Sequence, residues 1–107
     1  MGRVRKQLEF LGDSLAQVRQ FPVGARNEAG GQLYRVQCGI DPSDWKPMTS
    51  IGSGVREIRI RDEAGAFRVI YVTNRGDRVF VLHAFKKTTE QTSKRDIDLA
   101  IARLKLI

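Results

Sequence analysis

Positively charged side chains are concentrated between Val55 and Lys87, a segment with eight lysines and arginines against four aspartates and glutamates. These cations are interleaved with apolar residues, a pattern typical of strands that bury one face and present the other to solvent. Arginine stays protonated and can hold a phosphate through two parallel hydrogen bonds. His83, the single histidine, is the side-chain type that titrates near neutral pH. The segment therefore predicts an anion-binding sheet, and RNA is the anion that we expect.

The composition limits the kind of protein. The 107 residues are enough for one domain, residues 1–107, and the formal net charge of +7 favours a polyanionic partner. A basic surface that only maintains solubility is the alternative. The single cysteine excludes an internal disulfide. One cysteine and one histidine are too few ligands for a zinc site, so we predict no metal and no cofactor. Because the sequence has neither an apolar run of membrane-spanning length nor a signal-peptide core, we expect a cytoplasmic protein without membrane contact.

Three strand patterns follow one another in the cationic segment, at residues 55–61, 67–73 and 78–85. The turns between them contain the glycine, asparagine and aspartate residues that tight turns need. The second and third strands are apolar on nearly both faces, so we expect them in the centre of the sheet and the charged first strand nearer an edge. The two-residue period of a strand places His83 on the same face as Val79, Val81 and Phe85.

Helical patterns precede these strands. A short strand at residues 6–11 leads to a helix with Asp13 as its N-cap, where the carboxylate can accept from free backbone N–H groups. Pro22 ends that helix or begins the next one. The second helix runs over residues 23–38 and stops at Gly39.

The remaining segments are a loop and a last helix. Residues 40–54 read as a loop, in which Trp45 either packs on the core or stacks on a base. Ser93 and Asp96 have the spacing of a capping box before a C-terminal helix. The order β-α-α-β-β-β-α predicts an α+β domain with helices packed against one mainly antiparallel sheet.

Five short motifs resemble those of a known family and occur in the family's order. They are LEFLGD at 8–13, DWKPM at 44–48, GVREIR at 54–59, FRVIY at 67–71 and HAFKKT at 83–88. On these motifs the chain is similar to the RelE/HigB toxins of bacterial type II toxin–antitoxin systems, in the phage-derived HigB-like branch. The resemblance implies a RelE-like fold, with two N-terminal helices and a C-terminal helix on the small sheet.

The same resemblance implies an activity and partners. Toxins of this family are metal-independent endoribonucleases that cleave messenger RNA, typically on the ribosome, and thereby inhibit translation and growth. They are neutralised by a cognate antitoxin, commonly a helix-turn-helix DNA-binding protein, in a toxin–antitoxin hetero-oligomer. The alternative is a toxin-like binding module without catalysis, or an inhibitor of another target such as gyrase, because one fold can carry different functions.

The resemblance also implies roles for individual residues. Cleavage by the 2′-OH of RNA needs a base, a cation for the charge on the phosphorane, and an acid for the leaving 5′ oxygen. Arg68 matches the catalytic arginine of the family, and Lys86 or Lys87 matches its basic position after the last strand. The predicted catalytic residues are Glu57, Arg68, His83 and Lys87, and the predicted RNA-binding residues are Arg56, Arg59, Arg61 and Lys86.

Two departures from the family leave the general base open. Residues 90–95 contain no aromatic side chain, and Glu57 stands where a basic residue is expected. The base is therefore Glu57, His83 or a lysine with a lowered pKa. For His83, a buried and hydrogen-bonded side chain is as good an interpretation as a catalytic one. For Arg68 the alternative is an ion pair with Glu57 or Asp62, and the two lysines are otherwise a solvated strand end.

Overall fold

A computed structural model describes residues 5–107, which form a five-stranded sheet with helices on both faces. The first four residues, where the sequence predicts no signal-peptide core, lie outside the described part. The elements in chain order are β1 (Gln7–Phe10), α1 (Ser14–Arg19), α2 (Val23–Gln37), β2 (Trp45–Pro47), β3 (Val55–Asp62), β4 (Gly65–Val72), β5 (Arg78–Lys87) and α3 (Lys94–Leu104). The predicted α+β class is confirmed.

The strands lie in the order β1-β5-β4-β3-β2. β1 pairs with β5 in parallel, and the other three pairings are antiparallel. β4 is the middle strand, and β5 is an interior strand between β1 and β4, as their apolar composition predicts. β3 is also interior, second from the β2 edge, so the charged strand lies no nearer an edge than β5 does.

Two apolar layers sandwich the sheet. On one face α1 and α2 contribute side chains such as Val18, Ala29 and Leu33, which pack on Ile58 and Val69 of the sheet. On the other face α3 packs onto a second layer, which contains Val55, Ile70, Val72, Phe80 and Leu82 together with Ala100 of the helix. Among residues 5–107, no helix is both long enough and apolar enough to cross a membrane.

The prediction of a continuous loop over residues 40–54 is wrong at β2. Trp45 pairs with Ile58 and Pro47 with Arg56, so the segment forms a three-residue edge strand. A three-residue strand is too short to show the alternation of apolar and polar residues that predicts a strand. Pro47 is tolerated because proline lacks a backbone N–H, and an edge strand needs no hydrogen bond from that position on its outer side. Only pairing with β3 defines the strand.

The predicted face of His83 is also wrong in part. A bulge interrupts the β4–β5 ladder: Tyr71 pairs with Val81, but Ile70 pairs with His83, so Leu82 is an extra residue. The bulge reverses the alternation. Val79 and Val81 therefore face the α1/α2 layer, whereas His83 shares the α3 face with its partner Ile70.

The helix ends are mostly as predicted. α2 ends before Gly39, whose φ of 81° suits glycine, and Ser93 caps α3 by accepting from the Asp96 backbone N–H at 3.2 Å. Asp13 is the N-cap of α1, but its side chain makes no cap hydrogen bond. Its carboxylate accepts instead from Arg103 of α3 at 2.6 Å, a long-range charge-assisted bond that the local pattern could not indicate.

Candidate active site

Five cations lie near one another on one face of the sheet, the face that α3 partly covers. Antiparallel partners share a face, and the register pairs Arg59 with Arg68, Arg61 with Ala66, and Ala66 with Lys87. Lys46 of β2 joins the group because it pairs with Glu57 on β3. We call these residues the cationic cluster: Lys46, Arg59, Arg61, Arg68 and Lys87. Lys46 was missed from sequence, because its place depends on the unpredicted strand β2.

The Glu57 carboxylate lies inside this cluster and is completely buried. Its Oε2 accepts a 2.5 Å hydrogen bond from the Thr92 hydroxyl. Its Oε1 lies 3.5 Å from Arg68 Nε and 4.0 Å from Lys46 Nζ, and accepts no hydrogen bond from the described residues. Thr92 has no sequence signal, since it belongs to the polar connector between β5 and α3.

Arg68 lies in the floor of the cluster, with 4% of its surface exposed. Its guanidinium donates to its neighbouring Phe67 carbonyl at 3.0 Å and faces the Glu57 carboxylate. Burial lowers the pKa of Arg68, Arg59 adds to that effect, and the Glu57 charge opposes it. The ion pair with Glu57, one of the two alternatives from sequence, is the contact that the structure shows. Arg68 thus carries a fixed positive charge that neighbouring groups hold in place.

The two adjacent lysines at the end of β5 lie on opposite faces. Lys87 belongs to the cationic cluster and is half-buried, and its pKa is lowered by desolvation and then by the charge of Arg68. Lys86 pairs with Phe67 on the α1/α2 face, where it borders a cavity of about 300 Å³ together with Phe21 and Gln17. The sheet therefore separates the two lysines.

Arg56 also lies away from the cluster. Its guanidinium forms a 2.8 Å ion pair with Asp41 and stacks on the Trp45 ring, 3.9 Å from the ring centroid. It shares the α1/α2 face with its partner Tyr71. The structure thus brings Arg59 and Arg61 to the cluster but not Arg56 and Lys86. The Trp45 ring, which is half-buried, already holds a cation on one side.

His83 is buried beside α3. Its Nε2 lies 2.7 Å from Asp96 Oδ1, its ring stacks on Phe85, and its Nδ1 has no partner among the described residues. The second Asp96 oxygen accepts from the Ser93 hydroxyl at 2.6 Å. His83 therefore ties β5 to the first turn of α3, which is the buried alternative considered from sequence. In residues 5–107 no three His, Cys, Asp or Glu side chains are grouped as metal ligands.

Comparison with known proteins places the chain in a family. Residues 16–105 match the family described as phage derived protein Gp49-like (DUF891). The chain belongs to this Gp49-like family. Its fold is similar to that of the E. coli toxin RelE, solved in the free state as a mutant with two arginines replaced by alanine. The TM-score is 0.71 at 18% identity, over 94% of this chain and 98% of the RelE chain. No curated protein matches the sequence.

Proposed function

We propose that this Gp49-like protein is the toxin of a type II toxin–antitoxin system, of the HigB-like branch, and that it cleaves messenger RNA on the ribosome. The fold shared with the RelE toxin supports the toxin assignment. The cationic cluster supports the assignment of RNA as the substrate, because four of its side chains are at least partly exposed and could contact adjacent phosphates. Its partner is a cognate antitoxin, a helix-turn-helix DNA-binding protein, in a cytoplasmic hetero-oligomer. The reaction needs no cofactor.

One observation carries the proposal: the half-buried Lys87 lies on the same face of the sheet as the buried Arg68, and desolvation and the Arg68 charge lower the pKa of Lys87. A lowered pKa raises the fraction of neutral amine, which is the form that accepts a proton. The other candidates for the base are less suitable. Glu57 and His83 are at most 6% exposed and are already held by Thr92 and Asp96. We therefore assign the general base to Lys87.

The proposed reaction is an internal transfer. Neutral Lys87 takes the 2′-OH proton, and the 2′ oxygen forms a bond to the adjacent phosphorus while the bond from phosphorus to the 5′ oxygen breaks. The products are a 2′,3′-cyclic phosphate and a 5′-OH. Arg59 and Arg61 hold the phosphate oxygens as charge clamps, and the buried Arg68 adds positive potential beneath them. Lys46 lies on β2, so in the strand order Glu57 on β3 stands between it and Lys87 on β5. Lys46 protonates the leaving 5′ oxygen.

The adjacent lysines provide a matched test. We expect Lys87→Gln to reduce the rate of mRNA cleavage in a translation extract by about 100-fold or more, since general-base catalysis contributes about 10²–10⁴. Lys86→Gln removes the same charge one residue away but on the opposite face, so its rate should stay close to that of the wild type. Primer extension on a translated mRNA, with and without ribosomes, measures the new 5′ ends.

Three results would contradict the proposal. Equal losses in both lysine variants would show that Lys87 acts only through net charge. Cleavage of free RNA as fast as cleavage on the ribosome would show that the activity does not depend on the ribosome. Growth arrest without new mRNA 5′ ends would show that the protein is not an mRNA nuclease. Inhibition of DNA supercoiling by the purified protein would then support the alternative, an inhibitor of gyrase.

A further inference from the structure

Thr92 is connected to the cationic cluster through a single buried contact. It lies in the connector 88–93 that leads from β5 to α3, and only 8% of its surface is exposed. Its hydroxyl donates to Glu57 Oε2 at 2.5 Å, across 35 positions of the chain. It is the only described side chain that hydrogen-bonds Glu57. The contact therefore attaches the connector to the floor of the proposed active site.

The Glu57 carboxylate depends on this hydroxyl for its orientation. An ionised carboxylate can accept about four hydrogen bonds, and this one accepts a single bond from the residues described. Its other contacts, with Arg68 at 3.5 Å and Lys46 at 4.0 Å, are ion pairs without hydrogen-bond geometry and constrain rotation weakly. Without the hydroxyl, Oε2 would be buried with no donor, and the side chain would turn toward a new one.

The position of this carboxylate matters for two neighbours. Its charge is the main counter-charge to the buried Arg68, which otherwise faces Arg59 and Arg61. The same charge raises the pKa of Lys87 against the effects of desolvation and Arg68. A displaced Glu57 would therefore change both the placement of Arg68 and the proton affinity of Lys87, even though Glu57 itself does not reach the solvent.

We propose that Thr92 is a positioning residue of the cleavage site, whose hydroxyl holds the Glu57 carboxylate against Arg68 and so fixes the arginine beneath the scissile phosphate. The proposal rests on the proposed nuclease function. It assigns to the connector a role in catalysis without any contact between Thr92 and RNA.

The test compares three variants in the ribosome-dependent cleavage assay. Thr92→Val keeps the branched shape and removes the hydroxyl, Thr92→Ser keeps the hydroxyl, and Thr88→Val makes the same change at an exposed position of the connector. We expect Thr92→Val to lower the maximum of kcat, reached at a pH where Lys87 is neutral, by about 10-fold or more with KM within about threefold, since hydrogen bonds to charged groups have effects of that size. Thr92→Ser and Thr88→Val should keep kcat within about threefold of the wild type.

A pH profile separates positioning from general destabilisation. In Thr92→Val the Lys87 amine loses part of the Glu57 effect that raises its pKa, so the ascending limb of the kcat profile should move to lower pH. Titration of the Lys87 amine by NMR in isotopically labelled protein should show the same shift without any substrate. A loss of folded protein would lower the amplitude of either curve without moving its midpoint.

The outcomes are distinct. If the wild type cleaves mRNA and Thr92→Val matches it in kcat and profile, the positioning role is wrong and the nuclease stands. Equal losses in Thr92→Val and Thr92→Ser, or a loss in Thr88→Val, would also refute it. If the wild type does not cleave, the proposed function fails, and an unchanged Lys87 titration in Thr92→Val would additionally refute the positioning. Should Thr92→Val not fold, the Thr92 hydroxyl proton of the wild type decides: protection from exchange supports the bond, and fast exchange overturns it.

Discussion

Replacement of Arg68 by methionine should strongly destabilise the protein, because it leaves the Glu57 charge buried. Glu57 is 0% exposed, and Arg68 Nε at 3.5 Å is its nearest cation. Coulomb's law at that distance, with an effective dielectric constant of about 20, gives about 5 kcal/mol of attraction. Lys46 at 4.0 Å and the Thr92 hydroxyl remain in the variant and compensate for part of the loss. We therefore expect a net loss of about 3 kcal/mol, at the lower end of the range for broken buried pairs.

The same geometry predicts that a second substitution restores stability. Glu57→Gln in the Arg68→Met background removes the unpaired charge and keeps an acceptor for Thr92. The double variant should recover about 1–3 kcal/mol relative to Arg68→Met alone, the usual size of coupling between contacting residues. Arg61→Met is the control, because Arg61 is exposed on the same face and should change the free energy of unfolding by less than about 0.5 kcal/mol.

Urea denaturation followed by circular dichroism measures these free energies of unfolding for the four proteins. A loss of about 3 kcal/mol corresponds to a fall in Tm of about 12–24 °C in a domain of about 100 residues. An Arg68→Met variant within 1 kcal/mol of the wild type would show that Glu57 is not held as a charge by Arg68. A double variant less stable than Arg68→Met would show that the carboxylate itself, and not its missing partner, stabilises the fold.

Three further outcomes are expected from local geometry. Gly30→Ala should stabilise α2 by about 0.5–1 kcal/mol, because an added Cβ meets open space there. Gly39→Ala should destabilise the protein by about 1 kcal/mol, because alanine is strained at the Gly39 φ of 81°. Thermal denaturation compares the two variants. Ser93→Ala should cost about 1 kcal/mol through the lost α3 cap, measured in urea. The hydrogen bond from Arg103 lowers the pKa of Asp13, so this contact stabilises the fold above the unfolded pKa of about 3.9 and less as pH falls through the lower folded value. Arg103→Met should flatten the acid limb of a stability–pH curve, and an unchanged limb would contradict the assignment.

The sequence was sufficient where a structural feature depends on neighbouring residues. The three strands after Val55 and the position of α2 between Pro22 and Gly39 agree with the predicted bounds to within two residues. The Ser93 cap is confirmed as well. Backbone restrictions at proline and glycine, and hydrogen bonding by a side chain to its own helix, act over a few residues. Local sequence therefore carries that information.

The candidate site required more than local information. Alternation alone puts Lys86 and Lys87 on opposite faces, but only the packing of α1 and α2 on one side decides which lysine joins Arg59, Arg61 and Arg68. The bulge at Leu82 changes the face of His83, and a bulge is a property of two paired strands, not of one.

The sequence by itself determined the α+β class, the three strands from Val55 onward and the basic character of the protein, because periodicity, turn chemistry and charge depend on each residue and its close neighbours. Only the tertiary structure decided that Glu57 is buried among cations, that Thr92 holds it, and that Lys46 lies beside it. These contacts join positions far apart in the chain. Their energies depend on a low dielectric that exists only after the sheet and α3 have packed together.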